Sequence, residues 1–271
     1  MRAAARGSPE MRVALGLSYR GSAYRGWQSQ PGGLTVQDAL ERALARFVGV
    51  ELRVVCAGRT DAGVHALQQV VHLDSPVTRA PYSWVRGVNT FLPDDVAVRW
   101  AHPVGDDFHA QKSARSRRYR YVLLQHAVRP ALLHGQVGWT HLELDAEALR
   151  LAAAQLLGEH DFSAFRASAC QARSPVKTLH AIDIARDGDT WTFDFHANAF
   201  LHHMVRNIMG CLLAVGSGAR DPAWLGEVLR AADRKRAAPT FMPDGLYFAG
   251  PHYAAEWGLP EPLTELPRLR A

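Results

Sequence analysis

From Arg12 onward, Val13, Leu15, Leu17 and Tyr19 alternate with small or polar residues, the period of a half-buried strand, and Arg20-Gly21-Ser22 supplies its turn. The period then lengthens. Thr35 can cap a helix with Asp38 three residues on, Val36, Leu40, Ala43, Leu44 and Phe47 form its apolar stripe, and Gly49 stops it. Arg53 to Ala57 predicts a second strand, Gly58 to His65 a loop, Gln68 to Leu73 a third strand, Pro81 to Thr90 a helix and Val96 to Trp100 a fourth strand. This β-α-β-β-α-β order is that of a split βαβ, ferredoxin-like domain. Beyond Phe108 a strand is expected to begin within Lys112 to Arg120 and to run through Tyr121, Val122 and Leu123. A helix follows, capped by Asp145, with Leu149, Ala152 and Leu156 on one face and Gly158 as its stop. Strands near His180 to Arg186 and Thr190 to His196, a helix near Leu201 to Val215 and another opened by Asp221-Pro222 complete the pattern. The second half repeats the α+β logic of the first without a residue-level repeat. The expected division is a tail over 1–11, an N-terminal domain over 12–107 and a C-terminal α+β domain over 108–271.

A chain of 271 residues with 48% hydrophobic and 21% charged residues has room for a sizeable core in one large or two modest domains, and is neither disordered nor collagen-like. No apolar run approaches the roughly 18 residues of a membrane span. The net charge of +5 and a pI near 9.4 favour polyanionic partners mildly. Only Lys112, Lys177 and Lys235 among the 31 basic residues are lysines, which genome composition explains as readily as phosphate recognition. Cys56, Cys170 and Cys211 are odd in number and form no CxxC pair, arguing against a disulfide framework or a cysteine zinc site and fitting a reducing cytoplasm. The opening MRAAARGSPE has no apolar stretch after its arginines, so it reads as a frayed tail and not a secretory signal, with Met11 a candidate internal start.

Three stretches carry the candidate chemistry. In Cys56 to Ala66 an acid, Asp61, sits in a loop between two apolar strands, flanked by Gly58 and Gly63, which permit a tight backbone and close ligand approach. A lone Asp between glycines is more often an Asx-turn residue than a reactive group. Arg59 beside it favours the ionised carboxylate and can itself reach a phosphate or a base. In Tyr19 to Pro31, and more strongly in Arg115 to Tyr121, aromatics and arginines interleave as in nucleic-acid surfaces. On a strand Tyr119 and Tyr121 share one face and Arg118 and Arg120 the other, predicting an aromatic platform beside a phosphate-binding edge. In Asn198 to Gly210, His202 and His203 are consecutive, so on a helix they point about 100° apart and cannot grip one metal as an i, i+4 pair does. No metal site is expected. Arg206 and Asn207 interrupt an otherwise apolar helix, where a cation needs a carboxylate or phosphate partner. The chain has no GxxxxGK[ST] loop, no GxGxxG after a strand, no GxSxG elbow and no HExxH, so ATP, nicotinamide and serine-hydrolase chemistries lose their usual markers.

Taken together, YRGSAYRGWQSQP from Tyr19, TVQDALERAL from Thr35, CAGRTDAGVHALQQVVH from Cys56, DDFHAQKSARSRRYRY from Asp106, FRASACQARSP from Phe165, NAFLHHMVRNIMG from Asn198 and DGLY from Asp244 resemble the tRNA pseudouridine synthase A, or TruA, family. One stretch departs from it: Ala238 to Gly245 stands where the family has a shorter APA-type segment. The resemblance implies an α+β fold of two ferredoxin-like domains whose mainly antiparallel sheets flank a central basic cleft. It also implies a cytoplasmic homodimer, without cofactor, that isomerises uridine to pseudouridine at positions 38 to 40 of the tRNA anticodon stem-loop. By the same resemblance Asp61 is the catalytic residue, Tyr119 stacks on the target uracil, Arg59 helps displace the base and Arg206 pairs with the catalytic carboxylate.

Elementary chemistry is compatible with these roles. The N1–C1′ bond breaks, the held uracil turns, and a C5–C1′ bond forms with no redox change and no group from outside. A single carboxylate suffices, either as nucleophile or as the base that takes a ribose proton. Extruding a base costs a few kcal/mol, which stacking worth roughly 1 to 3 kcal/mol per base offsets. Two other classes use the same residues: a non-catalytic RNA-binding protein, which would leave uridine unchanged, and a metal-dependent RNA hydrolase, which lacks its clustered acids here.

Overall fold

The computed structural model describes residues 11–261. In chain order the elements are β1 (Met11–Tyr19), α1 (Val36–Val48), β2 (Val55–Cys56), β3 (His65–Ser75), α2 (Pro81–Asn89), β4 (Val96–Val104), β5 (Ser116–Gln125), β6 (Gly138–Thr140), α3 (Ala146–Ala154), β7 (Gly158–Asp161), β8 (Val176–Asp187), β9 (Thr190–Ala197), α4 (Met204–Gly216), α5 (Ala223–Ala231) and β10 (Leu246–His252). The expected β-α-β-β-α-β order holds over the first half. The tail is shorter than expected at its inner end, because Met11 already pairs with Ser75; its other ten residues lie outside the described residues.

The strands form one ten-stranded sheet in the order β4-β1-β3-β10-β5-β9-β8-β7, with β2 on β3 and β6 on β5. Separate sheets for the two halves were the expectation; the C-terminal strand β10 joins them. It runs parallel to β3, Tyr247 opposite His65, and antiparallel to β5, Phe248 opposite Tyr119. Its side chains divide accordingly. Phe248 belongs to the core of the N-terminal half with Leu15, Leu40 and Trp84, whereas Leu246 belongs to that of the C-terminal half with Phe193, Phe195 and Ile208. Each such fully buried side chain contributes about 1.5–3 kcal/mol, so the two halves are sewn together by packing as well as by ladder hydrogen bonds.

The caps follow the sequence. Thr35 accepts from the Asp38 amide at the start of α1, and Gly49 ends it with φ 89°. Asp145 accepts from the amides of Glu147 and Ala148. Gly158, expected as the stop of that helix, instead opens β7, since α3 ends at Ala154. Strands β6 and β7, at three and four residues, are too short to carry a period.

Candidate active site

Asp61 lies on the connection from β2 to β3, which the backbone fixes from several sides. The Ala57 amide donates to Val70 O, the Val64 amide closes a turn onto Asp61 O, the Trp27 amide donates to Thr60 O and the Gly63 amide to Tyr24 O. The Tyr19 hydroxyl meets Thr60 Oγ1 at 2.7 Å. Gly26, at φ 88°, lets the first connection pass directly over this loop, since a Cβ there would lie 2.7 Å from Thr60 O. The Tyr19 to Pro31 stretch, considered as a base-stacking surface, thus sends Tyr19 and Trp27 into the core as a buttress. Only Arg25, Gln28 and Gln30 of that stretch reach the pocket above Asp61.

That pocket, about 960 Å³ in volume, has a second wall from the C-terminal half. Beyond β9 the chain turns at Leu201, whose carbonyl accepts from the Met204 amide, and α4 begins only at Met204. His202 and His203 therefore precede the helix, which corrects the expectation that they diverge upon it. His203 is left-handed at φ 62°, a conformation uncommon outside glycine but tolerated by histidine more than by most residues. The two rings lie 4.1 Å apart at their centroids, and both aim at the acid. His202 Nε2 is 3.2 Å from Asp61 Oδ1, and His203 Nε2 is 3.4 Å from Oδ2. Among the described residues these three are the only group of three or more histidine, cysteine or acidic side chains whose ligand atoms gather within 4.8 Å, close enough to share a metal ion. Burial, with the neighbouring His202, Arg206 and Arg234, lowers the His203 pKa from its ordinary value despite the attraction of Asp61.

Arg206, one turn into α4, places Nη1 3.5 Å from Asp61 Oδ2 and is 15% exposed. Its Nε donates to Phe241 O, while the Phe241 amide donates back to Arg206 O. The segment 238–245 therefore aims the guanidinium. Asn207 anchors the same turn, donating to Phe165 O and accepting from Arg234 and Thr240.

Strand β5 delivers Tyr119 and Arg117 to the pocket. The Tyr119 ring packs edge-on to Phe200 at 4.9 Å and tilted on Phe248 at 5.1 Å. Burial, then the negative charge of Asp61, pushes its hydroxyl pKa upward, so it stays protonated. Tyr121 does not join a platform: it is fully buried and donates to Met242 O. On the opposite face Arg120 is engaged bidentately by Asp194, at 2.6 and 2.7 Å, while Arg118 is exposed. Arg117 was not singled out from the sequence. It donates to the carbonyls of Ala57, Gln111, Ala114 and Asn198, tying the Asp61 loop to the start of the second wall, and burial lowers its pKa. Arg59 stands exposed at the mouth, its Nη1 3.4 Å from Gln171 Oε1 across the opening.

All four residues expected at the site, Asp61, Tyr119, Arg59 and Arg206, therefore line one pocket. Asp61 is the only acid among the described residues lining it, against Arg25, Arg59, Arg117 and Arg206. The cationic surround attracts a polyanion, and the sheltered carboxylate provides one reactive group within it.

Comparison with known proteins places this geometry. A family model for tRNA pseudouridine synthase matches residues 17–111 and 152–254. The tRNA pseudouridine synthase A of Methylibium petroleiphilum is 66% identical over 251 residues, covering 93% of this chain and 96% of that protein. That of Paracidovorax citrulli is 61% identical over 269 residues, covering 93% and 97%. A solved Cbf5-Nop10-Gar1 complex is similar over 74% of this chain and 45% of its own, at 12% identity and a TM-score of 0.36, too slight a likeness to bear on the fold. With the family model spanning both walls of the pocket and the relatives nearly the whole chain, this chain belongs to the tRNA pseudouridine synthase A family.

Proposed function

We propose that the pocket isomerises uridine to pseudouridine in tRNA, at positions 38 to 40 of the anticodon stem-loop, with Asp61 as the reacting carboxylate. The observation that carries this reading is the isolation of Asp61 as the one acid among four arginines, on a loop fixed by its backbone. Hydrolysis by paired metals would call for several clustered carboxylates. Simple RNA binding would leave a sheltered anion facing the polyanion at an electrostatic cost.

In this reading the tRNA backbone meets the arginines of the rim, and Arg59 helps displace the target base. Tyr119, its ring already wedged between Phe200 and Phe248, presents a rigid surface for the uracil. Arg206 holds the Asp61 carboxylate in direction through their ion pair. The reaction needs the N1–C1′ bond broken, a C5–C1′ bond made, the C5 proton removed and N1 left with a proton. Asp61 serves either by attacking C1′ or by taking a ribose proton. The two halves, read as ferredoxin-like domains meeting near residue 107, flank the cleft. A cytoplasmic homodimer working without a cofactor would present twice the +5 charge of one chain to the stem-loop.

The test is Asp61→Asn assayed on unmodified tRNA, with pseudouridine mapped by chemical probing. Turnover is expected to vanish while tRNA affinity stays within about tenfold, because the phosphate-facing arginines remain. Retention of more than a few per cent of the activity would remove Asp61 from the reaction.

A further inference from the structure

Asp61, His202 and His203 have a joint property that the isomerisation leaves unused. Each offers one ligand atom, and the three atoms lie within 4.8 Å of one another. The closest approaches run one to each carboxylate oxygen, His202 Nε2 to Oδ1 at 3.2 Å and His203 Nε2 to Oδ2 at 3.4 Å. An ion bound tetrahedrally through bonds of about 2.0–2.1 Å separates its ligand atoms by about 3.3–3.4 Å, so the three atoms need only close from within 4.8 Å to that spacing. Two imidazoles and one carboxylate suit zinc-like transition ions, whereas Mg2+ and Ca2+ prefer all-oxygen shells.

The backbone holds both rings in place. His203 keeps its left-handed conformation, which persists only where the surroundings enforce it. His202 accepts from the Ala167 amide through its carbonyl, and its own amide points to Cys170 Sγ at 3.4 Å. The side chains of His202 and His203 are 38% and 31% exposed, so an ion can enter from the pocket and keep an open position toward it.

We propose that Asp61, His202 and His203 form a two-histidine, one-carboxylate site for a divalent transition-metal ion of the zinc class, and that its occupation silences the pocket. The silencing rests on the reading of Asp61 as the reacting group; the binding does not. An ion on the carboxylate draws charge from both its oxygens and weakens it as a nucleophile or base, and the ion fills the space of the substrate. Arg206, 3.5 Å from Oδ2, repels the ion, which makes binding reversible and gives the proposal a signed consequence.

The experiment uses the untagged full chain stripped with a chelator, Co2+ as the spectroscopic probe and Zn2+ as the inhibitor. Mg2+ is kept in constant excess so that ion binding by the tRNA does not change. One equivalent of Co2+ is expected to give the visible bands of a low-coordinate site, displaced by Zn2+. Pseudouridine formation should fall in step with occupancy and recover with chelator. His202→Gln and His203→Asn, the latter chosen because Asn tolerates the left-handed backbone, should each weaken Co2+ binding at least about tenfold. Arg206→Met should tighten it by about tenfold, opposite to its effect on turnover. Absence of one-to-one binding, or binding unchanged in both histidine variants, overturns the site. Full turnover with the site occupied overturns the silencing. A metal-free Asp61→Asn variant that still turns over would instead indict the reading of Asp61, while the Co2+ titration continues to judge the site.

Discussion

The wall that carries Asp61 and the wall that carries Arg206 meet in one pocket but are held by different means. The first is a short connection whose position is set by main-chain hydrogen bonds from the neighbouring Tyr24 to Trp27 segment and by glycines that let backbones touch. The second depends on side chains: Phe241 O steers Arg206, Asn207 ties the first turn of α4 to Phe165, and a left-handed His203 sets where the helix begins. The acid is thus fixed by the local fold of the N-terminal half, while the cation that pairs with it and sets its direction arrives from elsewhere in the chain. Substitutions on the two walls should therefore fail differently.

After the loss of turnover expected for Asp61→Asn, the largest effect is expected at the second wall. Arg206→Lys keeps the charge but loses the planar fork that contacts Asp61 and Phe241 O together, and kcat should fall on the order of 10²-fold with most tRNA affinity retained. Arg206→Met should fall further in kcat while changing the melting temperature little, since Met fills the space of a partly buried stem without a charge. Steady-state kinetics beside a thermal melt separates the two readouts; a Lys variant with normal kcat would show that charge alone suffices. Tyr119 comes next. Removing the ring in Tyr119→Ala should cost about 1–3 kcal/mol of tRNA binding, while Tyr119→Phe should bind as the parent does. If the Ala variant bound equally well in a filter or anisotropy assay, the stacking role would be lost. A Phe variant that binds without turning over would assign the hydroxyl, protonated beside Asp61, a proton-transfer role.

The difference between the walls also explains what could be read from the sequence. Asp61 announced itself because a charged residue between glycines, at the junction of two apolar strands, is a local pattern. Arg206 was visible as a cation on an apolar stripe, and its need for a partner followed from burial, although only the family resemblance pointed to Asp61. The alternation of β5 put Tyr119 and Tyr121 correctly on one face, yet no period states that β10 and segment 238–245 cover Tyr121 and leave Tyr119 at the pocket. His202 and His203 were misplaced because the apolar period of α4 extends back to Leu201, whereas a single left-handed residue stops the helix at Met204. Arg117 was hidden by its partners, since main-chain carbonyls from four places leave no signature in a sequence. β10 closes the sheet through pairings with β3 and β5 more than a hundred residues away in sequence, beyond the reach of any local pattern.

Gly26 tests the first wall at smaller amplitude. Gly26→Ala places a methyl 2.7 Å from Thr60 O in a backbone of positive φ, so the 24–27 segment or the Asp61 loop must move. A loss of about 1–2 kcal/mol of stability and a fall of about tenfold in kcat are expected, with tRNA affinity nearly unchanged. Unaltered kcat would mean that the Asp61 loop needs no buttress.

The last effect is the smallest near neutral pH, grows only in acid and concerns the strand pair that leads into the Asp61 loop. His72, 6% exposed on β3, lies opposite Val55 of β2, and its Nδ1 accepts from the Ala110 amide at 3.1 Å. Burial, followed by the charges of Arg12 and His109 and opposed by Asp74, lowers its pKa from 6.5 to about 4. Protonation would put a hydrogen on the nitrogen that receives the Ala110 amide. The folded state thus favours neutral His72, while the unfolded chain takes up a proton near pH 6.5. As pH falls from about 6.5 toward 4 the unfolded state gains protons that the folded state refuses, and stability declines; below about 4 both are protonated and the decline from this group ends. At pH 6 the loss attributable to His72 is under about 1 kcal/mol, and the slope between the two pKa values does not exceed about 1.4 kcal/mol per pH unit. Buried His65, whose pKa burial also lowers, contributes in the same direction, so the informative quantity is the difference between the parent and His72→Asn, whose amide oxygen can replace Nδ1 as acceptor. Urea melts at intervals from pH 7 to 4 should show a shallower acid slope for the variant. Parallel slopes would mean that His72 titrates normally in the folded protein and that the β2–β3 pair is not the acid-sensitive support of the Asp61 wall.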